Sequence, residues 1–331
     1  MGSVDIDTPL IVPTSPSLGA LATALLPRSE RGGRKVAWVQ EGGGMRGSFG
    51  SGVQAAFEDA GIPTDAFDGL WGSSAAAFNF MYWVSGLANL GTRVYAEELP
   101  DPREPAFFKF RGSWDLFRRL MRGQPVMNLL AVADAMEHRK PIRKDRVRNH
   151  PYPIWFPITE ARSLETRIFD ARTLSPEMLL PTLCAASSVP VLADAFELNR
   201  SKWLDGACGA PLMVAQAMEA GFTDLVVTLT LPPDEAPAWY ETKVLMFLAE
   251  RRGISPKVGA VVQSGRAARV RAMAVLKDPP PGVRITVIAP PSGPVGSLET
   301  NRARIERSIA MGREAGMRAV VAARQQIGGL A

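Results

Sequence analysis

Residues 36–47 read Val-Ala-Trp-Val-Gln-Glu-Gly-Gly-Gly-Met-Arg-Gly, an apolar run that leads directly into a glycine-rich turn. A second junction of the same kind follows at residues 67–76, Phe-Asp-Gly-Leu-Trp-Gly-Ser-Ser-Ala-Ala. Each turn lies between a strand-like run and a helix-like run. Such turns are where α/β proteins place oxyanion donors and nucleophiles. Together the two segments predict a serine hydrolase.

The rest of the chain alternates strand and helix patterns, which indicates a parallel sheet covered on both faces. Strands are predicted at 35–40, 66–71, 154–159, 166–170, 202–204, 225–231 and 284–289. Helices are predicted at 49–60, 74–90, 176–186, 211–220, 238–250, 256–276 and 299–324. We therefore expect one three-layer α/β/α domain over residues 35–325.

Two segments depart from this alternation. Residues 1–34 are rich in Pro, Ser, Thr, Gly and Arg, which is typical of a flexible or loosely docked arm. Residues 93–148 are interrupted by prolines and carry clusters of aromatic and basic side chains. We interpret them as a helical insertion, or lid, that covers the site.

Composition limits the classes of partner. The chain has 331 residues, 46% of them hydrophobic, and a net charge of +5, which would suit an anionic partner such as a phospholipid surface. Nucleic acid is not expected, because the basic residues are scattered and accompany no recognition motif. The chain shows no secretory signal pattern and no apolar run long enough for a membrane span, so we expect a soluble cytoplasmic protein. Cys184 and Cys208 are too few for a disulfide framework and are expected to be core or near-site thiols.

Ser74 is the candidate nucleophile. It occupies the centre of Gly72-Ser73-Ser74-Ala75-Ala76, where small neighbours let a serine sit strained and exposed at a helix N-terminus. The alternative is that five small residues form only a tight packing turn.

The Gly42-Gly43-Gly44 run can direct backbone N–H groups at an anion, as an oxyanion hole requires. The alternative is a dinucleotide loop, because Gly42-x-Gly44-x-x-Gly47 fits the Rossmann spacing. That loop needs an acidic residue at the end of the second strand. Asp65 and Asp68 instead flank the strand that feeds the serine turn, so the sequence favours the oxyanion role.

The base cannot be assigned to a histidine. The chain contains only His138 and His150, and both lie in segments that look like surface. A Ser-His-Asp triad is therefore not expected. Asp205 follows a short apolar strand and precedes Gly206, a position at the rim of a sheet, and it can act as the base directly. The alternative is a turn-initiating aspartate.

Three motifs carry a family resemblance, namely Glu41–Gly47, Gly72–Ala76 and Asp205–Ala207. Their order and spacing resemble the patatin-like phospholipase family, over roughly residues 35–325. Residues 186–190, Ala-Ser-Ser-Val-Pro, and the helical tail at 299–321 look similar to bacterial members.

The resemblance implies a Ser-Asp dyad, with Ser74 as nucleophile and Asp205 as proton acceptor. It also implies an oxyanion hole at the glycine loop and no metal or cofactor. Gly72 and Ala76 belong to the elbow, and Gly206 and Ala207 to the aspartate turn. Ala76 stands where the family usually has glycine, which is expected to bring a methyl group close to the acyl site. The residues assigned to the oxyanion hole are Gly42, Gly43, Gly44, Arg46 and Gly47.

The expected function is hydrolysis of a lipid acyl ester of the phospholipase A or lysophospholipase type. The insertion at 107–148 would hold acyl chains and meet anionic head groups at the inner membrane face, unless it is an ordinary amphipathic lid. Two alternatives remain at this point. One is a catalytically silent lipid-binding or regulatory relative, and the other is a nucleotide-binding α/β protein.

Overall fold

The computed structural model describes residues 18–103, 105–235, 247, 257–291 and 295–329. Within these ranges it contains one eight-stranded sheet, and seven of its strands match those predicted to within three residues at either end. The exception is β5, three residues long and paired with its neighbour β6 as a short hairpin. The strands are β1 (Val36–Gln40), β2 (Gly69–Gly72), β3 (Ile154–Glu160), β4 (Thr166–Asp170), β5 (Phe196–Leu198), β6 (Ser201–Asp205), β7 (Asp224–Thr228) and β8 (Arg284–Ile288).

The helices of the described residues fall between these strands as expected. The helix predicted at 238–250 lies outside the described residues. The helices are α1 (Ala20–Leu25), α2 (Gly47–Asp59), α3 (Ala75–Val84), α4 (Ala88–Arg93), α5 (Gly112–Met121), α6 (Leu129–Asp134), α7 (Lys144–Arg148), α8 (Pro176–Ala185), α9 (Val214–Glu219), α10 (Lys257–Lys277) and α11 (Arg302–Gly328).

The sheet is the middle of three layers, so the predicted α/β/α class is confirmed. The strand order is β5-β6-β3-β2-β1-β7-β8, with β4 on the far side of β3, and β3, β2, β1, β7 and β8 run parallel. Every residue of β1 and β7 is buried. Alternate residues enter different cores: Trp38 and Val226 pack with α2, α3 and α11, whereas Val39 and Val227 pack with α9 and α10. Strands buried on both faces are typical of a parallel sheet between helices.

The two edges of β3 have different partners: β4 fills one edge, and two strands of opposite direction share the other. β4 pairs with β3 from Trp155 to Thr159, which fills one edge. β2 therefore pairs with the other edge at Ile154 and Trp155, and β6 pairs with that same edge at residues 158–160. Since β2 is parallel and β6 antiparallel to β3, their carboxyl ends face each other. Gly72 and Asp205 end these two strands.

A cluster of aromatic side chains packs α3 against strand β1 and helix α2. The ring of Trp38 on β1 lies 4.8 Å from that of Phe57, 5.4 Å from Phe80 and 5.3 Å from Trp83. Phe80 and Trp83 belong to α3, whose ten residues are all buried. The buried central helix expected after Ser74 is therefore present, although it ends at Val84 rather than near residue 90.

The described part of the N-terminal segment, residues 18–34, is packed, which corrects the expectation of a flexible arm for these residues only. Ala20–Ala24 of α1 are buried against α11 and the strands β7 and β8. Arg31 is also buried, and it pairs with Asp68 at 3.2 Å and donates to the carbonyl oxygens of Ala24 and Ala66. A six-residue helix is not stable alone, so its order depends on these tertiary contacts. Residues 1–17 lie outside the described residues.

The segment at 93–148, which we interpret as an insertion, contains several helices and packs on the same face as α3. It contains α5, α6, α7 and two short π-helical turns, at Val94–Glu98 and Ala135–Arg139. Lys140 joins these turns, because its ammonium group lies 2.8 Å from carboxylates of both Glu97 and Glu98. Across the described ranges, no helix combines the length and apolarity needed to cross a membrane.

The docking of α1 can be tested by cavity formation. Leu21 is 1% exposed in the core, so Leu21→Ala should lower the free energy of unfolding by about 2 to 5 kcal/mol. Leu130 is 59% exposed, and Leu130→Ala is the matched control, with an expected change within about 0.5 kcal/mol. Urea unfolding of both variants gives the comparison. Equal stabilities would mean that α1 is not part of the folded core.

Candidate active site

Ser74 occupies a strained turn between β2 and α3. Its φ of 50° and ψ of −123° lie where a side-chain-bearing residue rarely sits, at a cost of about 1 to 3 kcal/mol. The turn is possible because its neighbours are small. A Cβ atom on Gly72 would lie 2.7 Å from the Phe80 ring and 2.9 Å from the Ala76 carbonyl group. Ser74 therefore has the strained geometry that the sequence predicts for a nucleophile.

The adjacent Ser73 has a different environment. It is fully buried, and its hydroxyl donates to the Pro211 carbonyl oxygen at 2.7 Å and accepts from the Gly42 N–H at 3.1 Å. Both bonds join the elbow to neighbouring loops. Ser73 is thus committed to holding the turn, and Ser74 is the serine that faces the cavity.

Asp205 reaches Ser74 because β2 and β6 end face to face on β3. The backbone N–H of Asp205 donates to the Ser188 carbonyl oxygen at 2.9 Å. Gly206 lies so close to β3 that a Cβ atom there would overlap the Pro157 carbonyl group, so glycine is required. The Ala207 N–H donates to Asp205 Oδ1 at 2.7 Å and fixes the carboxylate.

The Ser74 side chain lies beside this carboxylate and interacts with it. Asp205 is 3% exposed, and burial raises its pKa to about 6, although the neighbouring Ser74 side chain and the hydrogen bond from the Ala207 N–H act in the opposite direction. A carboxylate with this pKa is a stronger base than an ordinary aspartate and is still mostly ionised at neutral pH. The two predicted dyad residues are therefore brought together.

The glycine loop lies directly against the elbow. A Cβ atom on Gly42 would be 2.5 Å from the Ser73 carbonyl oxygen and 3.0 Å from Ser74 Cβ. Gly43 and Gly44 have φ values of 151° and 58°, which only glycine adopts without strain. Since the Gly42 N–H is bonded to Ser73, Gly42 provides close approach rather than a donor. The N–H groups of Gly43 and Gly44 have no hydrogen-bond acceptor within the described ranges.

Arg46 and Gly47 have packing roles beside the loop. A Cβ atom on Gly43 would be 2.9 Å from Arg46 Nε, so the Arg46 side chain folds over Gly43. A Cβ atom on Gly47 would be 2.5 Å from the Tyr95 hydroxyl and 2.9 Å from Ala75 Cβ. Gly47 therefore allows α2 to approach both α3 and the insertion.

A buried ion pair anchors the start of the loop, and sequence reasoning missed it. Arg269 on α10 donates to Glu41 Oε1 at 2.6 Å, and both side chains are less than a tenth exposed. The Thr230 N–H donates to Glu41 Oε2 at 2.9 Å, and its hydroxyl donates to the Gly42 carbonyl oxygen at 2.9 Å. These bonds fix the loop relative to the end of β7.

A second buried network links the loop to the insertion. The Tyr95 hydroxyl donates to Asn79 Oδ1 at 3.0 Å, and Asn79 Nδ2 donates to the Gly47 carbonyl oxygen at 3.0 Å. Asn79 is on the face of α3 that begins at Ala75, one turn after the nucleophile. The position of the insertion is thereby coupled to the position of the glycine loop.

Ser74 opens into a narrow cavity of about 50 Å³ between α3 and the insertion. The wall is almost entirely apolar. Its lining from the insertion includes Val94, Leu99, Phe107, Met127, Val132 and Met136. The Ser187 hydroxyl also lines the cavity and, among the described residues, has no hydrogen-bond partner.

Ala76 does not narrow this cavity, contrary to expectation. The α3 residues that line it are Ala75, Phe78, Asn79 and Tyr82, which lie three or four positions apart on one helix face. Ala76 is fully buried, rotated about 100° from Ala75, and is not part of the wall.

Neither histidine reaches the dyad. His138 is exposed, as expected, but His150 is buried, which corrects its interpretation as a surface residue. Its ring nitrogens lie 2.8 Å from the Tyr152 carbonyl oxygen and 3.2 Å from that of Thr64. Those two residues precede β3 and β2, so His150 is at the amino ends of the strands. Ser74 is at the carboxyl ends.

A dinucleotide site is also disfavoured. Asp68, one of the acidic residues near the second strand, pairs with Arg28 and Arg31 and accepts the Val36 N–H. Gly44 faces the apolar cavity rather than a polar cleft suited to a pyrophosphate. The loop therefore does not have the surroundings of a Rossmann phosphate site.

Comparison with protein families identifies the family of the chain. The family model described as patatin-like phospholipase matches residues 39–218, which contain the loop, the elbow and the aspartate turn. The chain belongs to this family. A patatin-like phospholipase acts on lipids, so the chain is a member of a lipid hydrolase family.

Other comparisons are more distant. The crystal structure of VipD from Legionella pneumophila is similar at 11% identity and a TM-score of 0.45, over 86% of this chain and 66% of the VipD chain. No curated protein matches the chain.

The buried carboxylate makes a prediction that needs no substrate. Because the pKa of Asp205 is raised from 3.8 to about 6, the folded chain holds this proton more tightly than the unfolded chain, and stability falls as pH rises through that window. Asp205→Asn keeps the Ala207 hydrogen bond without the charge. It should therefore raise the free energy of unfolding at neutral pH by up to about 3 kcal/mol.

Urea unfolding across this pH range measures the effect. The stability of Asp205→Asn should fall less between pH 4 and 6 than that of the wild type. Asp278 is exposed, and Asp278→Asn is the control, with no change beyond about 0.5 kcal/mol. A destabilised Asp205→Asn at neutral pH would contradict the burial cost.

Proposed function

We propose that the protein is a serine-dependent lipid acyl ester hydrolase that works through a Ser74-Asp205 dyad. The observation that carries this proposal is the position of the strained Ser74 beside a buried carboxylate, at the mouth of an apolar cavity. Family membership supports a lipid substrate. In this proposal, Ser74 forms the covalent bond to the acyl group, and Asp205 carries out the proton transfers of ester hydrolysis.

In the first half-reaction, Ser74 Oγ attacks the ester carbonyl carbon while Asp205 takes the hydroxyl proton. The Gly43 and Gly44 N–H groups stabilise the resulting oxyanion, at about 3 to 4 kcal/mol for each well-placed donor. As the tetrahedral species collapses, the C–O bond to the alcohol breaks and Asp205 returns the proton to the leaving oxygen. The product is an acyl ester of Ser74.

In the second half-reaction, a water molecule replaces the alcohol. Asp205 takes a proton from this water, whose oxygen forms a bond to the acyl carbon. Collapse breaks the bond to Ser74 Oγ, which recovers its proton from Asp205, and the fatty acid leaves. General-base assistance of this kind contributes about 10² to 10⁴ in rate.

The cavity suits an acyl chain. Its apolar wall would take alkyl groups from water, at about 0.8 kcal/mol for each buried CH₂. At about 50 Å³ it holds only a few water molecules, so an acyl chain must displace lining side chains. Met45, Met127 and Met136 line it, and methionine adapts readily to such displacement.

Substrate of the phospholipase A or lysophospholipase type fits the remaining features. The Ser187 hydroxyl lines the same cavity as Ser74 and has no hydrogen-bond partner among the described residues, so it can bond to an ester or head-group oxygen. The positive net charge suits an anionic lipid surface, which favours peripheral contact with a membrane.

The dyad is tested with a panel of lipid esters. Ser74→Ala should abolish turnover in a folded protein, whereas Ser73→Ala should lose about tenfold at most, because it removes only bonds that hold the turn. Asp205→Asn should lower kcat by about 10² to 10⁴. Wild-type kcat/KM should rise with pH through about 6 as Asp205 ionises, and the residual activity of Asp205→Asn should lack this limb.

Near-normal turnover of a folded Asp205→Asn protein would remove Asp205 from the mechanism. A complete absence of turnover in the wild type on every ester would instead favour the catalytically silent alternative.

A further inference from the structure

Helix α5, Gly112–Met121, leaves large apolar side chains uncovered. Trp114 is 76% exposed, Phe117 53% and Met121 42%, and they are spaced by three and four residues, so they lie on one face. The rings of Trp114 and Phe117 are stacked, with centroids 5.8 Å apart. The opposite side of the helix is held by Leu116 and Leu120, which pack against the core. We call the exposed Trp114, Phe117 and Met121 the α5 face.

Positive charge flanks this face. Residues 109–122 contain five basic residues and only one acidic residue, Asp115, a net charge of +4. Arg111 and Arg122 are exposed and directly flank α5, one at each end of the helix. An apolar stripe with tryptophan and flanking arginine is the pattern of a helix that lies in a membrane interface.

The α5 face is continuous with the candidate active site. The segment that carries α5 leaves the cavity wall at Phe107 and returns to it at Met127. These ends are joined, because the Lys109 N–H donates to the Val126 carbonyl oxygen at 3.0 Å and the Asn128 N–H donates to that of Phe107 at 2.8 Å. A surface that holds α5 would therefore hold the cavity wall beside it.

We propose that α5 is the membrane-docking element, which inserts the α5 face into the interface of an anionic bilayer and sets the cavity against the lipid. The inference rests on the proposed function, since a lipid substrate gives the face a reason to meet a bilayer. A bilayer fits better than a second copy of the chain. Symmetric self-association through this face would bring two +4 segments together, which is unfavourable.

The test measures binding without turnover. The full chain carrying Ser74→Ala is titrated with vesicles of phosphatidylcholine, with and without phosphatidylglycerol, and bound protein is measured by sedimentation. Phosphatidylglycerol should tighten binding at least about tenfold, an effect that added salt removes.

Three further variants in the same background locate the contact. Trp114→Ala with Phe117→Ala and Met121→Ala should weaken binding to anionic vesicles at least about tenfold. Arg111→Gln with Arg122→Gln should weaken it about 30-fold. Met317 and Val321 on α11 are 39% and 48% exposed, and their joint replacement by alanine is the matched control, with no expected change.

Three results would overturn the proposal. They are a Ser74→Ala parent that does not bind anionic vesicles, an α5-face variant that binds as the parent does, and a dimer in sedimentation velocity that the α5-face variant disperses. The last would make a second copy the occupant.

A water-soluble short-chain ester separates this proposal from the proposed function. With Ser74 intact, the α5-face variant should hydrolyse that ester at the wild-type rate, because the face does not touch the dyad. Loss of vesicle binding with retained soluble turnover supports docking through α5. Vesicle binding by a wild type that hydrolyses no ester would leave the docking proposal standing and defeat the proposed function.

Discussion

Strand β3 offers one free edge to two strands that approach from opposite directions, and the candidate site depends on this arrangement. β2 occupies the first part of that edge and β6 the last part, because β4 already fills the other side. The strands end at Gly72 and Asp205, so the elbow and the carboxylate meet between them. A serine and an aspartate far apart in sequence become direct neighbours, with no histidine between them. The close contact of Gly206 with Pro157 is what allows β6 to end at this point.

The burial that raises the pKa of Asp205, and so makes it a stronger base, also lowers the free energy of unfolding at neutral pH. Asp205 is 3% exposed, so its ionised carboxylate lacks the solvation that it would have in water. The raised pKa of Asp205 measures the free-energy cost of this lost solvation. Ser74 adds backbone strain at the same place. The buried carboxylate and the strained turn are held in place by rigid surroundings. These are the aromatic cluster against α3 and the Glu41-Arg269 pair that fixes the glycine loop. Strained and desolvated groups of this kind are characteristic of functional sites.

Much of the site could be predicted from local sequence. The elbow at Gly72–Ala76, the loop at Gly42–Gly44 and the turn at Asp205–Ala207 each have a composition that their backbone geometry requires. Most strands were predicted because buried parallel strands are short apolar runs between turns. The sequence could not show which backbone N–H groups of the glycine loop already donate a hydrogen bond within the protein. The bond between the Gly42 N–H and Ser73 joins two different turns, and no local pattern reveals it.

The features that were missed depend on contacts between distant residues. Arg269 lies 228 positions from Glu41, and the Asn79-Tyr95 bond joins α3 to the insertion. Helix α1 looked like part of a flexible arm because six residues have little helical stability of their own. His150 looked exposed because its neighbours are polar, yet the ends of two strands enclose it. Local composition carries no information on such packing.

The central claim is that Ser74 is a nucleophile activated by Asp205, and covalent labelling tests it most directly. A fluorophosphonate probe loses fluoride when a serine oxygen bonds to its phosphorus, and peptide mass mapping then locates the adduct. We predict a single adduct on Ser74 in the wild type, and a labelling rate in folded Asp205→Asn lower by about 10² or more. An adduct on Ser73, or equal labelling rates in wild type and Asp205→Asn, would contradict the account.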